Sequence, residues 1–283
     1  MVPPVSDLNP ALRAALDAKA GAPEDGAEPH RHRTLFISDV HLGTRGCRAD
    51  LLVDFLRHNT ADTVFLVGDI VDGWRLRRAW LWPQSHNDLV QKLLRMARKG
   101  CRIVYIPGNH DELFRDYPGL VLGGITLQDQ ALHTTADGRR LLVIHGDQFD
   151  AVILTSKWLA KLGAWAYEVT SVLNNGFNRL RRRLGFPYWS LAGYLKHKVK
   201  NAVSFIGKYE AAVLAEARRQ GLDGVVCGHI HQAEMRQVDG LLYCNTGDWV
   251  DSCTALAERP DGALEIISWT EMRGPVARPE EAA

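Results

Sequence analysis

L-F-I-S-D-V-H-L-G, residues 35–43, and V-F-L-V-G-D-I-V-D-G, residues 64–73, decide how this chain is read. Each is a short apolar run of strand length that ends in a polar loop. The first loop delivers Asp39 and His41, the second Asp69 and Asp72. Between them, Ala49–Asn59 places Leu51, Leu52, Phe55 and Leu56 at helical spacing, so strand, helix and strand follow in order. In open α/β folds, loops at the carboxyl ends of such strands form the ligand crevice. Asp39, His41 and Asp69 are therefore expected together at one sheet edge. Mixed carboxylate and imidazole donors suit a first-row divalent metal.

The same alternation continues outward. The first strand is expected over Arg33–Val40 and the second over Thr63–Val67. Asn87–Lys99 reads as a helix with Leu89, Leu93, Leu94 and Met96 on one side and Gly100 as its stop. Arg102–Ile106 reads as a third strand running into Pro107-Gly108-Asn109-His110-Asp111. Short strands follow at Ile125–Gln130 and Leu132–Thr134, then Arg140–Ile144, which leads to His145-Gly146-Asp147. Tyr209–Gln220 reads as a helix, Gly224–Cys227 as a strand leading to Gly228-His229-Ile230-His231, and Leu241–Asn245 and Gly262–Ile267 as closing strands.

Residues 1–32 are rich in Ala, Pro, Glu and Gly and read as a flexible tail, with Asn9-Pro10 opening a short helix. The core is expected over 33–149 and 205–270, with a polar tail at 271–283. Residues 150–204 differ in character. Trp158, Leu162, Trp165, Val169 and Val172 recur at helical spacing, followed by the arginines 179 and 181–183 and by Lys196, Lys198 and Lys200. This segment is read as a helical insertion, either a lid over the site mouth or a structural element packed on the core.

Composition sets the outer limits. A chain of 283 residues, 46% hydrophobic with a formal net charge of +1, has the makeup of a soluble domain with a sizeable core. That balance argues against a dedicated nucleic-acid binder. The five cysteines form no C-x-x-C pair and read as reduced thiols, with Cys47, beside the first loop, the one exception worth testing. The N-terminal residues show no basic segment followed by an apolar run, and no stretch reaches membrane-span length. A cytoplasmic location is expected, with peripheral contact at the inner membrane face as an option. The oligomeric state stays open.

Seven residues share one placement: Asp39, His41, Asp69, Asn109, His145, His229 and His231 each lie just after an apolar strand. Any one of them alone means little. The ordered set D-x-H, G-D-x-x-D, G-N-H-D, H-G-D and G-H-x-H is a constellation that chance does not supply. Carboxylates are hard anionic ligands, neutral imidazoles bind without adding charge, and an Asn carbonyl oxygen completes a shell. A two-metal site holds its ions roughly 3.5–4 Å apart through a bridging carboxylate and serves in-line displacement at phosphorus.

In this order the motifs resemble the calcineurin-like metallophosphoesterase family over about Leu35–Asp248. The resemblance implies an α/β sandwich of two mixed sheets flanked by helices. It implies one metal on Asp39, His41, Asp69 and His231 and a second on Asp69, Asn109, His145 and His229, with hydroxide attacking phosphorus. His110 becomes the non-ligand catalytic histidine that binds the phosphate or protonates the leaving oxygen, and Asp72 its orienting carboxylate. The alternative for Asp72 is a helix or turn cap. Asp111 and Asp147 become supporting residues.

Trp74, Ser85–Asp88 and the insertion's position resemble the branch of UDP-2,3-diacylglucosamine hydrolases. That branch implies Mn²⁺ and a lipid-linked nucleotide at a membrane surface, in lipid A biosynthesis, split into UMP and a diacylglucosamine phosphate. The donor set also accepts Zn²⁺ or Fe. Asp150, Lys196, Lys198 and Lys200 join Asn109 and His110 as candidate substrate contacts. One departure stands out: the branch has G-N-R-D where this chain has His110. The alternatives are a phosphodiesterase or phosphatase for another nucleotide or phospholipid, and a non-catalytic metal-binding scaffold. No ligand position is lost, which argues against the scaffold.

Overall fold

The computed structural model describes residues 28–150 and 206–273. Two mixed β-sheets form the core. β1 (His30–Ile37), β2 (Asn59–Val67) and β3 (Arg102–Ile106) run parallel at the centre of the first sheet. β4 (Val121–Leu122) and β5 (Ile125–Leu127) extend it on one side. β11 (Thr254–Glu258) and β12 (Leu264–Ser268) extend it antiparallel on the other, giving the order β12-β11-β1-β2-β3-β5-β4. The second sheet has the order β6-β7-β8-β10-β9, built from Ala131–Thr134, Arg140–Val143, Gly224–Cys227, Leu241–Asn245 and Glu234–Val238. Its central strands β7, β8 and β10 are again parallel.

Period-two alternation builds the layers. In β1, Leu35 and Ile37 join Val64, Leu66, Ile103 and Tyr105 on one face. Helix α1 (Ala49–His58) covers that face through Leu52, Phe55 and Leu56, and α3 (Gln84–Arg98) through Leu89, Leu93 and Met96. Phe36 points the other way and clusters with Phe65, Val104, Leu141, Val143 and Val226, joining the inner faces of both sheets. Phe36 and Phe65 sit opposite each other in register, rings stacked 5.1 Å apart. This is the two-sheet sandwich with flanking helices that the motif order implied. The described residues divide into two compact units, one running to His145 and resuming at Leu222, the other Gly146–Gly221.

Several boundaries differ from expectation for local reasons. β1 begins at His30, inside the expected tail, because His30, Arg31 and His32 pair with Asn59, Thr60 and Ala61. It stops at Ile37 rather than Val40, because Asp39 takes a left-handed φ of 50°. α3 starts three residues early, so Ser85–Asp88 forms its first turns. A short helix α2 (Gly73–Arg78) and the strands β4, β9 and β11 were not anticipated. β9 is a solvent-exposed edge without an apolar run, and α2 is a single capped turn. The last strand is Leu264–Ser268, since Gly262 lies in a turn, and it leads into a helical turn, Trp269–Arg273. The helix read over Asn9–Lys19 and the aromatic and basic residues of the insertion lie outside the described residues. Among the described residues no helix is long and apolar enough to cross a membrane.

Candidate metal centre

Five loops bring the predicted residues together, three from the carboxyl ends of β1, β2 and β3 and two from those of β7 and β8. Backbone bonds lash the loops to one another. Asp39 N donates to Gly68 O at 3.0 Å, His41 N to Asp69 O at 2.9 Å, and Gly228 N to His145 O at 3.2 Å. The Asp69 carboxylate receives the His110 amide on Oδ1 at 2.8 Å, and Asp39 Oδ2 receives the His229 amide at 2.9 Å. Each carboxylate thus has one oxygen tied to a neighbouring loop and the other turned to the centre.

Asp69 Oδ2 is the focus. His145 Nε2 lies 3.4 Å from it, His41 Nε2 3.9 Å and His110 Nε2 4.0 Å. On the other side, Asp39 Oδ1 lies 3.1 Å from His231 Nε2 and 3.9 Å from His41 Nε2. His41 and His231 present their Nε2 atoms to each other at 3.3 Å. Asp39, His41 and His231 form one compact donor group, and Asp69, His145 and His229 form another. Asp39, Asp69 and His145 are buried, whereas His110 is half-buried and His231 exposed, so the centre opens on the histidine side.

The backbone pays for this convergence. Among the described residues seven non-glycine positions have a left-handed φ, and five of them are Asp39, His41, Asp69, His229 and His231. Such conformations cost of order 1–3 kcal/mol each and collect at functional sites. The glycines beside them permit close approach. A Cβ at Gly108 would collide with Asp69 Oδ1, and one at Gly228 with Asp39 Oδ2 at 2.5 Å and with Ser38.

Electrostatics suits a cation. Two buried carboxylates face one centre, and among the described residues no Lys or Arg pairs with either. Buried charges of one sign need a counter-charge. Asn109 Oδ1 is buried and, among the described residues, meets no hydrogen-bond donor, as a carbonyl ligand would. His145 Nδ1 lies 2.9 Å from Val67 O; a carbonyl only accepts, so Nδ1 carries the proton and Nε2 presents its lone pair inward. Burial pushes His41 down, against the pull of Asp69 and Asp39, favouring the neutral, ligating imidazole. Burial alone would raise Asp39 and Asp69. The His231 and His145 interactions around Asp39, and the bond and charge of His145 beside Asp69, outweigh it and hold both carboxyls below their usual range. The donor set fits divalent metal.

Asp72 occupies both of its expected places. Its Oδ1 accepts the Arg75 amide at 2.7 Å, capping α2, and its Oδ2 lies 3.0 Å from His110 Nδ1 and 3.5 Å from His41 Nδ1. Asp111 is a fully buried brace. Oδ1 accepts from Gly108 N at 2.5 Å, and Oδ2 from Ile70 N at 2.8 Å and Tyr105 Oη at 2.5 Å.

Residues that the motif reading missed complete the shell. Ser38 Oγ lies 2.5 Å from Asp39 Oδ2 and 2.6 Å from Thr246 Oγ1. Asn245 Nδ2 donates to Gly228 O at 2.7 Å, and Trp249 N donates to Asp39 O at 3.0 Å. For Asn245 and Thr246 the signal was N-T-G-D, residues 245–248, a polar loop after an apolar strand like the other five. Cys47 does not join the donors: it packs against the helix-side core, and burial pushes its thiol up to about 12. None of the five cysteines forms a disulfide. Asp150 follows a short 3-10 turn, Asp147–Phe149, in the second unit, and Lys196, Lys198 and Lys200 lie outside the described residues.

Similarity to known proteins gives the family of the chain. The family model of the calcineurin-like phosphoesterases matches residues 32–233. A UDP-2,3-diacylglucosamine hydrolase of Xanthomonas campestris pv. campestris is 27% identical over 256 residues, covering 83% of this chain and 99% of that protein. Its counterpart from Chromohalobacter salexigens is 25% identical over 233 residues, covering 76% and 88%. Among solved structures, a single mutant of Vps29 from Entamoeba histolytica is 14% identical with a TM-score of 0.40, covering 83% of this chain and 96% of that one. With well over half its length matched by the family model, the chain belongs to the calcineurin-like phosphoesterase family and is a metal-dependent phosphohydrolase.

Proposed function

We propose that this phosphohydrolase works at a two-metal centre and cleaves the pyrophosphate of UDP-2,3-diacylglucosamine or a close analogue, a step of lipid A biosynthesis. The observation that supports the chemistry is the convergence of three imidazole Nε2 atoms on Asp69 Oδ2, beside a second donor group on Asp39. Asp39, His41, Asp69 and His231 would hold one ion. Asp69, Asn109, His145 and His229 would hold the other, with Asp69 shared. Two bound divalent ions supply hydroxide near neutral pH and neutralise charge on the phosphate oxygens. Mn²⁺ is the ion favoured by the resemblance.

The protein's own residues then orient and protonate. His110 presents Nε2 to the centre and Nδ1 to Asp72, so the carboxylate fixes the ring with Nε2 turned toward the place substrate would occupy. A proton held at Nε2 is available to a phosphate oxygen or the departing oxygen. The substrate reading rests on relatives that align over nearly their full length with this chain. His110 in place of the branch's arginine supports a second reading, a different nucleotide or phospholipid phosphodiester.

The test is incubation of Mn²⁺-loaded protein with UDP-2,3-diacylglucosamine and product identification by mass spectrometry. UMP plus diacylglucosamine phosphate is the expected outcome. Turnover of a chromogenic phosphodiester with none of the lipid nucleotide would favour the second reading. No turnover of either by fully loaded protein would overturn the proposed hydrolysis.

A further inference from the structure

The segment W-R-L-R-R-A-W-L-W, residues 74–82, belongs to no part of the metal centre, yet it begins two residues after Asp72. It forms α2 and the turn beyond it. Arg75, Arg77 and Arg78 are all exposed, and among the described residues none of them forms an ion pair. The helix has no acidic residue in its first turn to offset them. Trp74 is 44% exposed and Trp80 76% exposed.

These large apolar rings are held in place rather than left loose. Trp82 is half-buried, donates Nε1 to Asn87 Oδ1 at 3.0 Å and meets His86 edge-on at 5.3 Å. Trp80 stacks on Trp82 at 6.0 Å and so stands out into solvent on an anchored base. Trp74 lies against His110, ring centres 4.3 Å apart, with its Nε1 3.4 Å from Glu112 Oε1. Leu113, itself 38% exposed, packs beside Gly73 and continues the apolar rim.

From this we infer that residues 74–82 dock the protein onto an anionic phospholipid surface, with Trp80 and Trp74 at headgroup depth and Arg75, Arg77 and Arg78 on the lipid phosphates. Indole rings favour the membrane–water interface, having an apolar body and a polar edge. Juxtaposed cationic side chains add attraction to an anionic leaflet that decays within a Debye length. The whole-chain charge of +1 supplies no broad basic field, so the attraction is local to this patch. A nucleic-acid surface would call for an extended basic track, which a cluster of three arginines interleaved with tryptophan and leucine does not provide. Docking here sets His110 beside the lipid plane through its Trp74 contact. The inference goes beyond the substrate reading, and binding is measured without turnover, so either can fail alone.

The test is flotation of the full chain with vesicles of phosphatidylcholine alone and of phosphatidylcholine with phosphatidylglycerol. The wild type should float with the anionic vesicles, less so as salt rises, and stay behind with the neutral ones. R77E/R78E should lower the partition coefficient by roughly tenfold or more, and Trp80→Ser should lower it several-fold, with unchanged circular dichroism and melting. R98E/K99E, an equal charge reversal about 20 Å away at the far end of α3, should change it little. Equal flotation of R77E/R78E and wild type would overturn the proposal, as would equal losses in both double variants. So would oligonucleotide binding that R77E/R78E abolishes, with no flotation of wild type.

Discussion

Asp72 Oδ2 lies 3.0 Å from His110 Nδ1 while Oδ1 of the same carboxylate caps helix α2 through the Arg75 amide. One side chain therefore fixes a helix start and the catalytic histidine of the proposed mechanism. The two roles separate by substitution. Asp72→Asn keeps a capping oxygen and removes the charge; Asp72→Ala removes both. The alanine variant should lose about 1 kcal/mol of stability, and the asparagine variant much less. Both should lower kcat. Equal melting temperatures in the two variants would exclude the capping role, and wild-type kcat in Asp72→Asn would exclude the orienting one.

His110→Ala should retain metal and lose turnover by about 10²–10⁴-fold, the range for a general acid or base. Its Nε2 is 4.0 Å from Asp69 Oδ2, and its ring is half-buried at the open side of the centre, as a group that meets substrate should be. Metal content by elemental analysis, read beside kcat, decides the matter. Loss of metal in this variant would make His110 a ligand instead.

Asp69→Asn should reduce metal content at both positions, because Oδ2 is the atom on which His41, His110 and His145 converge. An amide cannot supply the negative charge that a shared ligand must. The expected result is fewer than one metal equivalent bound, against the two that the proposed centre predicts for the wild type. Wild-type metal content in Asp69→Asn would exclude the bridging role.

The fold and the convergence of the candidate donors were legible because both write themselves in local patterns. A buried parallel strand is a short apolar run, and the loop after it carries the chemistry, so Ile37 followed by Asp39 and Cys227 followed by His229 declare their places. Elements without an apolar run were silent. β9, with Glu234 and Arg236 along an exposed edge, follows no period, and α2 depends on one capping bond. Support through space left no trace at all: nothing in the order of residues says that Ser38 meets Thr246, 208 positions away. Asp111 was visible as a carboxylate in a motif, but its four-way bracing of two loops was visible only in three dimensions.

That bracing makes Asp111 a structural anchor of the centre. Its carboxylate accepts from the amides of Gly108, Ile70 and Val71 and from the Tyr105 hydroxyl. Burial pushes its pKa up despite the Tyr105 bond, which marks how little solvent reaches it. Asp111→Ala would leave these donors unsatisfied, at about 1–3 kcal/mol for each buried one. Chemical denaturation should show a loss of at least ~3 kcal/mol, or no folded protein. Tyr105→Phe removes a single donor and should lose about 1 kcal/mol while leaving metal content intact. A stable Asp111→Ala protein would mean that the loops hold each other without it.

A second buried carboxylate sets the acid limit of the fold. Glu258, on β11, lies 2.6 Å from Arg33 Nη1 and 2.7 Å from His133 Nε2, and it accepts the Ala136 amide at 2.8 Å. Burial raises its pKa, but the bonds from His133, Thr34, Ala136 and Arg33 outweigh this and bring it from 4.5 down to about 2. A folded-state pKa below the unfolded one means that the unfolded chain binds the proton more readily. The stabilisation is therefore complete above about pH 4.5 and drains away as pH falls toward about 2. Integrated over that window it is on the order of 3 kcal/mol. Glu258→Gln removes the titrating group and should be less stable than wild type at neutral pH. The gap should close as pH falls from about 5 toward 2, measured by urea unfolding at each pH. A gap that stays constant over this range would show that the Glu258 charge contributes nothing to the fold.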